Sequence, residues 1–311
     1  MAEKQKIEEY DSSEIQVLEG LEPVRVRPGM YIGSTGYDGL HHLVKEIADN
    51  SIDEAIAGFA TKVLITLQND GGVRVEDNGR GIPVDIHPKT HKSTLETVLT
   101  VLHAGGKFGG GGYKVSSGLH GVGSSVVNAL STRMIAEVYR DKKVHHIEFE
   151  TGKPIMQLDT SKKTDKQGTC ITFYPDSTIF KETTTFDYDW VSHYARHQAY
   201  LTKGILISVF DERTGEKESF YFEGGIKSYV KRLNESKEVL ADDIFYVDKQ
   251  IEEAEVEIAV QYNDTYVETM KPFANNVLTP EGGTHVVGFR TALNRTINDY
   301  ARRNNLLKEK E

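Results

Sequence analysis

The glycines of this chain are clustered, and their placement constrains the fold more than any other feature. Of the 28 glycines, many fall between two helix-like segments, Leu95–Ala104 and Ser124–Leu130. Gly105 and Gly106 open this stretch, Gly109–Gly112 is four glycines in a row, and Gly118, Leu119, His120, Gly121, Val122 and Gly123 close it. Glycines at the start of a helix let backbone N–H groups approach a ligand, and the helix dipole favours an anion there. Lys107 adds a point charge suited to a phosphate. The stretch reads as a lid with glycine hinges. Leu119 and Val122 are apolar and lead directly into a helix, which argues against a purely solvated loop.

The rest of the chain supplies a scaffold of α+β type. Leu40–Gly58 reads as a strong helix. Lys62–Gln68 and Val73–Asp77 alternate like strands around the turn Asn69-Asp70-Gly71-Gly72, which predicts a hairpin. Met134–Tyr139, His145–Glu150 and Thr169–Tyr174 read as antiparallel strands, with Gly152–Gln167 a charged excursion. The pattern restarts near Phe220: a strand at Phe220–Phe222, a helix at Gly225–Leu233, a strand at Val256–Tyr262, and a helix from Val287 to about Asn304. Residues 1–20 read as an arm, 21–221 as the first domain and 222–311 as a second.

On a helical wheel His42, Glu46, Asp49, Asn50 and Asp53 share one face of Leu40–Gly58, and Leu40, Val44, Ile47, Ser51 and Ala55 the other. A solvated amphipathic helix shows the same split. The polar face, however, carries no Lys or Arg, whereas solvated helices usually mix signs to gain i,i+4 pairs. Three carboxylates, an amide and an imidazole therefore invite a metal ion or a water. Asn50 offers the neutral oxygen that Mg²⁺ accepts beside phosphate oxygens. Glu46, one turn earlier, can take a proton from a water, and His42 can orient that carboxylate. Asp77-Asn78-Gly79-Arg80-Gly81 follows a strand. Its glycines allow close approach to a flat ligand, and the Asp77 carboxylate can accept a hydrogen bond from an amino group such as that of adenine.

Several classes are excluded or disfavoured. No G-x-x-x-x-G-K-[ST] and no strand-linked G-x-G-x-x-G occurs, so neither a P-loop nor a Rossmann site is supported. The pairs His41-His42 and His145-His146 lack zinc-ligand spacing. A net charge of −10 makes a poor general clamp for duplex DNA. Cys170, the single cysteine, excludes an internal disulfide framework and fits a reducing cytoplasm. No apolar signal-peptide core or membrane span is present.

A Glu/Asn helix, then Asp-x-Gly-x-Gly, then a glycine lid ending in Gly-x-x-Gly-x-Gly resembles, in that order, the GHKL (Bergerat) nucleotide-binding α/β sandwich. The segments GLHHLVKEIADNSIDEAIAG, EDNGRGIPVDIH, TVLHAGGKFGGGGYKVSSGLHGVGSSVVNALS and EGGTHVVGFRTALNRTINDYARR are similar to those of the gyrase B family of type IIA topoisomerases. The ATPase subunit of topoisomerase IV carries very similar segments. The resemblance implies an ATP-hydrolysing region of an ATP-dependent DNA topoisomerase, with ATP and Mg²⁺ as substrate and cofactor. It implies Glu46 as general base, His42 as its support and Asn50 as the Mg²⁺ ligand. Asp77 would read adenine with Gly81 and Thr169 beside it. Gly106, Lys107, Tyr113 and Gly118–Gly123 would bind the phosphates. Asp77, Arg80, Pro83, Arg140 and Thr169 would form an aminocoumarin inhibitor pocket. Tyr10 and Ile15 would lie in an arm that crosses to a second copy when ATP dimerises the domains, and residues from about 222 onward would form a smaller α+β transducer domain. Further implied partners are DNA and a DNA-cleaving A-type subunit in an A2B2 assembly. Arg290, Arg295, Arg302 and Arg303 on the last helix are either a DNA-facing or a solvated basic face.

Ala48 and Ser117 depart from the family pattern. No Gln-Thr-Lys follows the last helix before Glu311, so the family's phosphate-reaching lysine is not among these residues, and neither is a Toprim domain. The chain by itself is therefore expected to bind ATP but turn it over slowly. Other GHKL proteins, such as chaperones, and a nucleotide sensor without hydrolysis are the competing readings. The segment EGGTHVVGF and the arm argue against the first, and Glu46 against the second.

Overall fold

Alternating apolar residues write the main sheet of this protein. The computed structural model describes residues 17–106, 121–252 and 254–307. Along the chain come helices α1 (Glu22–Val26), α2 (Gly29–Ile32) and α3 (Tyr37–Ile56), the strands β1 (Lys62–Leu67) and β2 (Val73–Asp77), then helices α4 (Thr94–Thr100) and α5 (Gly123–Ala129). Strands β3 (Ser131–Arg140), β4 (Lys143–Glu150), β5 (Lys153–Pro154), β6 (Asp159–Lys163) and β7 (Gly168–Pro175) follow, then helix α6 (Tyr188–Leu201) and strands β8 (Leu206–Asp211) and β9 (Lys217–Phe220).

These strands form one nine-stranded sheet in the order β5-β4-β3-β7-β2-β1-β8-β9, with β6 also pairing β4. Its pairs are antiparallel except β1 with β8. Register aligns Val63, Ile65 and Leu67 of β1 with Asp77, Val75 and Val73 of β2. It then sets Val75 and Val73 beside Ile171 and Phe173 of β7, and these beside Ala136 and Met134 of β3. Because strand side chains alternate between faces, all of these lie on one face, and the apolar ones share a single core with Leu40, Leu43, Val44, Ile47 and Ile52 of α3. Helix α3 packs on β1, β2 and β7, α5 on β3, and α6 on β8 and β9.

The chain divides into two compact units, the first ending at Phe222 and the second beginning at Glu223. The second contains α7 (Ile226–Leu233), the antiparallel hairpin β10 (Phe245–Ile251) and β11 (Ala254–Val260), the small hairpin β12 (Phe273–Ala274) and β13 (Val277–Leu278), and α8 (Thr284–Arg303). Among the described residues no helix is long and apolar enough to cross a membrane.

Most elements expected from the sequence are present with shifted ends, and several readings change: Arg25–Gly33, which reads as a loop with a turn at Pro28-Gly29, carries the end of α1 and all of α2. Phe220 does not open a new pattern: it ends β9 and pairs with Ile207 in the first sheet. The excursion Gly152–Gln167 contains two edge strands, β5 and β6. Helix α6 and strand β8 complete the first sheet's layers and were not anticipated.

Candidate functional site

Asp77 occupies the last core-facing position of β2. Alternation through Val73 and Val75 turns its carboxylate toward α3 rather than toward solvent, and the residue is 8% exposed. The Ser51 hydroxyl of α3 donates to Asp77 Oδ2 at 2.8 Å. Backbone N–H groups of Gly79 and Thr169 donate to Oδ1 at 2.9 and 3.3 Å. Burial pushes the Asp77 carboxyl up to about 6, against the opposing pull of these three hydrogen bonds.

The turn after Asp77 is held on both sides. The Asn78 side chain accepts from the N–H groups of Thr61 and Lys62 at 2.8 and 2.9 Å. Arg80 makes a two-pronged ion pair with Glu54, Nε to Oε1 at 2.7 Å and Nη2 to Oε2 at 3.0 Å, and its guanidinium lies 3.6 Å from the centre of the Phe59 ring. Gly81 has φ +77°, and a Cβ there would press on Val138 and on the Gly168 carbonyl. Arg140 Nη1 donates to the Gly81 carbonyl at 3.0 Å, and the Thr169 hydroxyl accepts from Ile82 N–H at 3.3 Å. Asp77, Arg80, Gly81, Arg140 and Thr169 therefore meet in one place, with Pro83 exposed on the loop beyond them.

Gly168 shows how closely the strands approach here. Its φ is +130°, and a Cβ would collide with the Asp77 carbonyl. Gly168→Ala is expected to destabilise the first unit by about 1–3 kcal/mol from backbone strain alone, read as a lowered thermal midpoint. An unchanged midpoint contradicts the packing described.

Further along α3, His42 Nε2 lies 2.9 Å from Glu46 Oε1. One turn later the Asn50 amide nitrogen donates to the Glu46 carbonyl and to the Ser124 hydroxyl of α5, both at 2.9 Å. Gly123, the first residue of α5, packs so closely that a Cβ would strike the Glu46 carboxylate. Gly121 adopts φ +61°, and Val122, half-buried, packs against the core. Gly106 is described at the near end of the glycine stretch. Tyr10, Ile15, Lys107, Tyr113, Gly118, Leu119 and His120 lie outside the described residues.

The polar face of α3 differs from the wheel in one respect. Asp49 and Asp53 are buried and do not join Glu46 in an open carboxylate cluster. Lys45 Nζ lies 2.6 Å from Asp49 Oδ2, and the Tyr194 hydroxyl of α6 donates to Oδ1 at 2.5 Å. The cation missing from the wheel is thus Lys45, which sits one turn before Asp49 at i,i+4 spacing, on the edge of the same face. Burial pushes Asp49 up, and Lys45 opposes it. Adjacent His41 is a core residue: Nδ1 donates to the Tyr37 carbonyl and Nε2 accepts from Asp187 N–H, both at 2.8 Å.

Among the described residues no group of three His, Cys, Asp or Glu side chains is placed to hold a metal ion. The amide of Asn50, oriented through its nitrogen, fits a different kind of site: a hard cation that keeps water and takes its other ligands from a phosphate. Ser51, Glu54 and Ser124 contact the candidate residues and Asn78 braces their turn, and the sequence reading assigns none of the four a role. A hydroxyl within the apolar stripe was the available signal for Ser51, and the 46/50/54 spacing for Glu54.

The model for histidine kinase-, DNA gyrase B- and HSP90-like ATPases matches residues 35–179, the span holding α3, the Asp77 turn and β7. The fold is a GHKL ATPase fold, and an ATPase domain of this class takes ATP as its substrate. A second model, DNA gyrase B, matches residues 225–311. The 43K ATPase domain of Thermus thermophilus gyrase B, solved in complex with an aminocoumarin, is 40% identical, with a TM-score of 0.83 over 94% of this chain and 75% of that one. The DNA gyrase B protein of Streptococcus pyogenes serotype M18 is 55% identical over 99% of this chain, and that of Enterococcus faecalis 53% over 99%. The chain belongs to the DNA gyrase B family, with gyrase favoured over topoisomerase IV. It spans about half the length of these two relatives, 48% in both cases.

Proposed function

We propose that this chain is the ATP-hydrolysing region of a DNA gyrase B protein working in the bacterial cytoplasm. There it couples ATP-driven dimerisation to DNA strand passage and negative supercoiling, in an A2B2 assembly with a DNA-cleaving A-type subunit. The observation that carries the reading is that α3 alone joins both ends of one site: Ser51 touches Asp77, Asn50 is the residue before it, and Glu46 and His42 lie further toward the start of the helix, a little over one turn and about two and a half turns earlier. A helix rises 1.5 Å per residue, so these groups span the distance from a nucleobase to a terminal phosphate.

In this reading Asp77 accepts the amino group of adenine, with Gly81 and Thr169 against the base. Glu46 takes the proton of a water as its oxygen attacks the γ-phosphorus, and the bond to the β-phosphate oxygen breaks, giving ADP and phosphate. His42 holds the Glu46 carboxylate in place through their 2.9 Å contact. Asn50 would hold Mg²⁺, which when bound neutralises charge on the phosphate oxygens. Gly106, Lys107, Tyr113 and Gly118–Gly123 would close over the phosphates, and Tyr10 and Ile15 would reach a second copy. Residues 222–311 would act as the transducer domain. Asp77, Arg80, Pro83, Arg140 and Thr169 would receive an aminocoumarin, a reading supported by the Thermus thermophilus complex.

The test is the full-length protein reconstituted with its DNA-cleaving partner. ATP-dependent introduction of negative supercoils into relaxed plasmid is expected. ATP-dependent relaxation without supercoiling would instead indicate topoisomerase IV, and no change in linking number contradicts the topoisomerase reading.

A further inference from the structure

Adjacent histidines cannot share a metal ion easily, but a pair separated by one helical turn can. The first unit holds such a pair outside the nucleotide site. His193 and His197 are i,i+4 on α6, a continuous helix of 14 residues. Val191, Tyr194, Ala195, Gln198 and Ala199 form the buried face of that helix. His193 is exposed and His197 partly so. Their rings lie 6.4 Å apart, centre to centre, with planes only 9° from parallel. Side chains at this spacing are neighbours on a helix surface, and rotation about their χ angles lets one nitrogen of each imidazole converge on an ion held by metal–nitrogen bonds of about 2.0–2.1 Å.

We propose that His193 and His197 form a two-histidine chelate for a borderline divalent transition-metal ion such as Zn²⁺ or Cu²⁺. Imidazole nitrogen suits these ions and not Mg²⁺ or Ca²⁺, so the site is chemically separate from any cation carried with the nucleotide. Among the described residues no third His, Cys, Asp or Glu joins the pair. The other i,i+4 pair, His87 and His91, lies in a turn where His91 has φ +56°, and His87 Nδ1 accepts from Lys89 N–H. That pair lacks the helical scaffold. A bound ion would staple α6 across one turn, and α6 carries the Tyr194 hydroxyl that bonds Asp49 of α3.

Zn²⁺ titration of the untagged chain at neutral pH against a chromophoric chelator tests this. One equivalent is expected that is lost in His193→Gln and in His197→Gln, each weakening affinity by about a hundredfold as the second ligand's effective concentration disappears, and retained in His87→Gln. Thermal midpoints without metal are expected to match the parent, which separates lost ligation from lost folding. Mg²⁺ is expected not to compete. Equal Zn²⁺ binding by the parent and both α6 variants would overturn the proposal, as would loss of the equivalent in His87→Gln alone.

Discussion

Glu46→Ala, placed in the full-length protein, is expected to remove ATP turnover while leaving nucleotide binding in place. General-base catalysis typically contributes about 10²–10⁴ in rate, so kcat should fall by at least that factor. KM should change little, because Glu46 acts on the attacking water and not on the base or ribose. Removing the carboxylate also strips His42 of the partner 2.9 Å away. His42→Ala should therefore lower kcat by less than Glu46→Ala, since it loosens the base without deleting it. Steady-state turnover together with calorimetric binding of a non-hydrolysable ATP analogue separates the two effects. Equal loss of binding and turnover in Glu46→Ala contradicts the assignment.

Asp77→Asn acts on the other end of the site, and there binding should fail first. Replacing an acceptor by an amide sets an NH₂ group against the adenine amino group. The cost of one mispaired buried hydrogen bond, about 1–3 kcal/mol, corresponds to a loss of roughly tenfold to a hundredfold in affinity. The pH dependence follows from the raised carboxyl. Parent affinity is full well above pH 6, where Asp77 is ionised, and declines as pH falls through about 6, where half of it is protonated. The variant lacks this decline, so their difference isolates Asp77 from protonation of the nucleotide itself. Stability runs in the opposite sense. The folded protein holds the Asp77 proton more tightly than the unfolded chain, whose carboxyl stays near 3.8, so Asp77 costs stability as pH rises from about 4 to about 6. A shift of about two units is on the order of 3 kcal/mol. The parent should lose that amount relative to Asp77→Asn across this window in paired chemical denaturation series.

Much of this site was legible because local rules and tertiary structure agree. The turn after β2 contains glycines where φ is positive, at Gly81, and where the Glu54 side chain packs close, at Gly79, and alternation along Val73–Asp77 sets the carboxylate on the core face. Glu46 and Asn50 were legible as one stripe of a helix. The wheel failed at Asp49 because it records angles and not partners: a long Lys45 side chain and a tyrosine from α6 claim that carboxylate. Helix α6 escaped notice because Gln198 is buried within a run also containing His193, Arg196 and His197, which masks the apolar period. Strand β6, Asp159–Lys163, is exposed at every position and is held by backbone pairing to β4, so no side-chain pattern announces it.

The central claim is that α3 and the Asp77 turn are two walls of one ATP site. A crystal structure of the chain with a non-hydrolysable ATP analogue and Mg²⁺ tests it most directly. The account predicts the adenine amino group within hydrogen-bond distance of Asp77, the metal on Asn50 Oδ1, and a water between Glu46 and the γ-phosphorus. An analogue bound elsewhere, or with its base at Glu46 and its phosphates at Asp77, would contradict it.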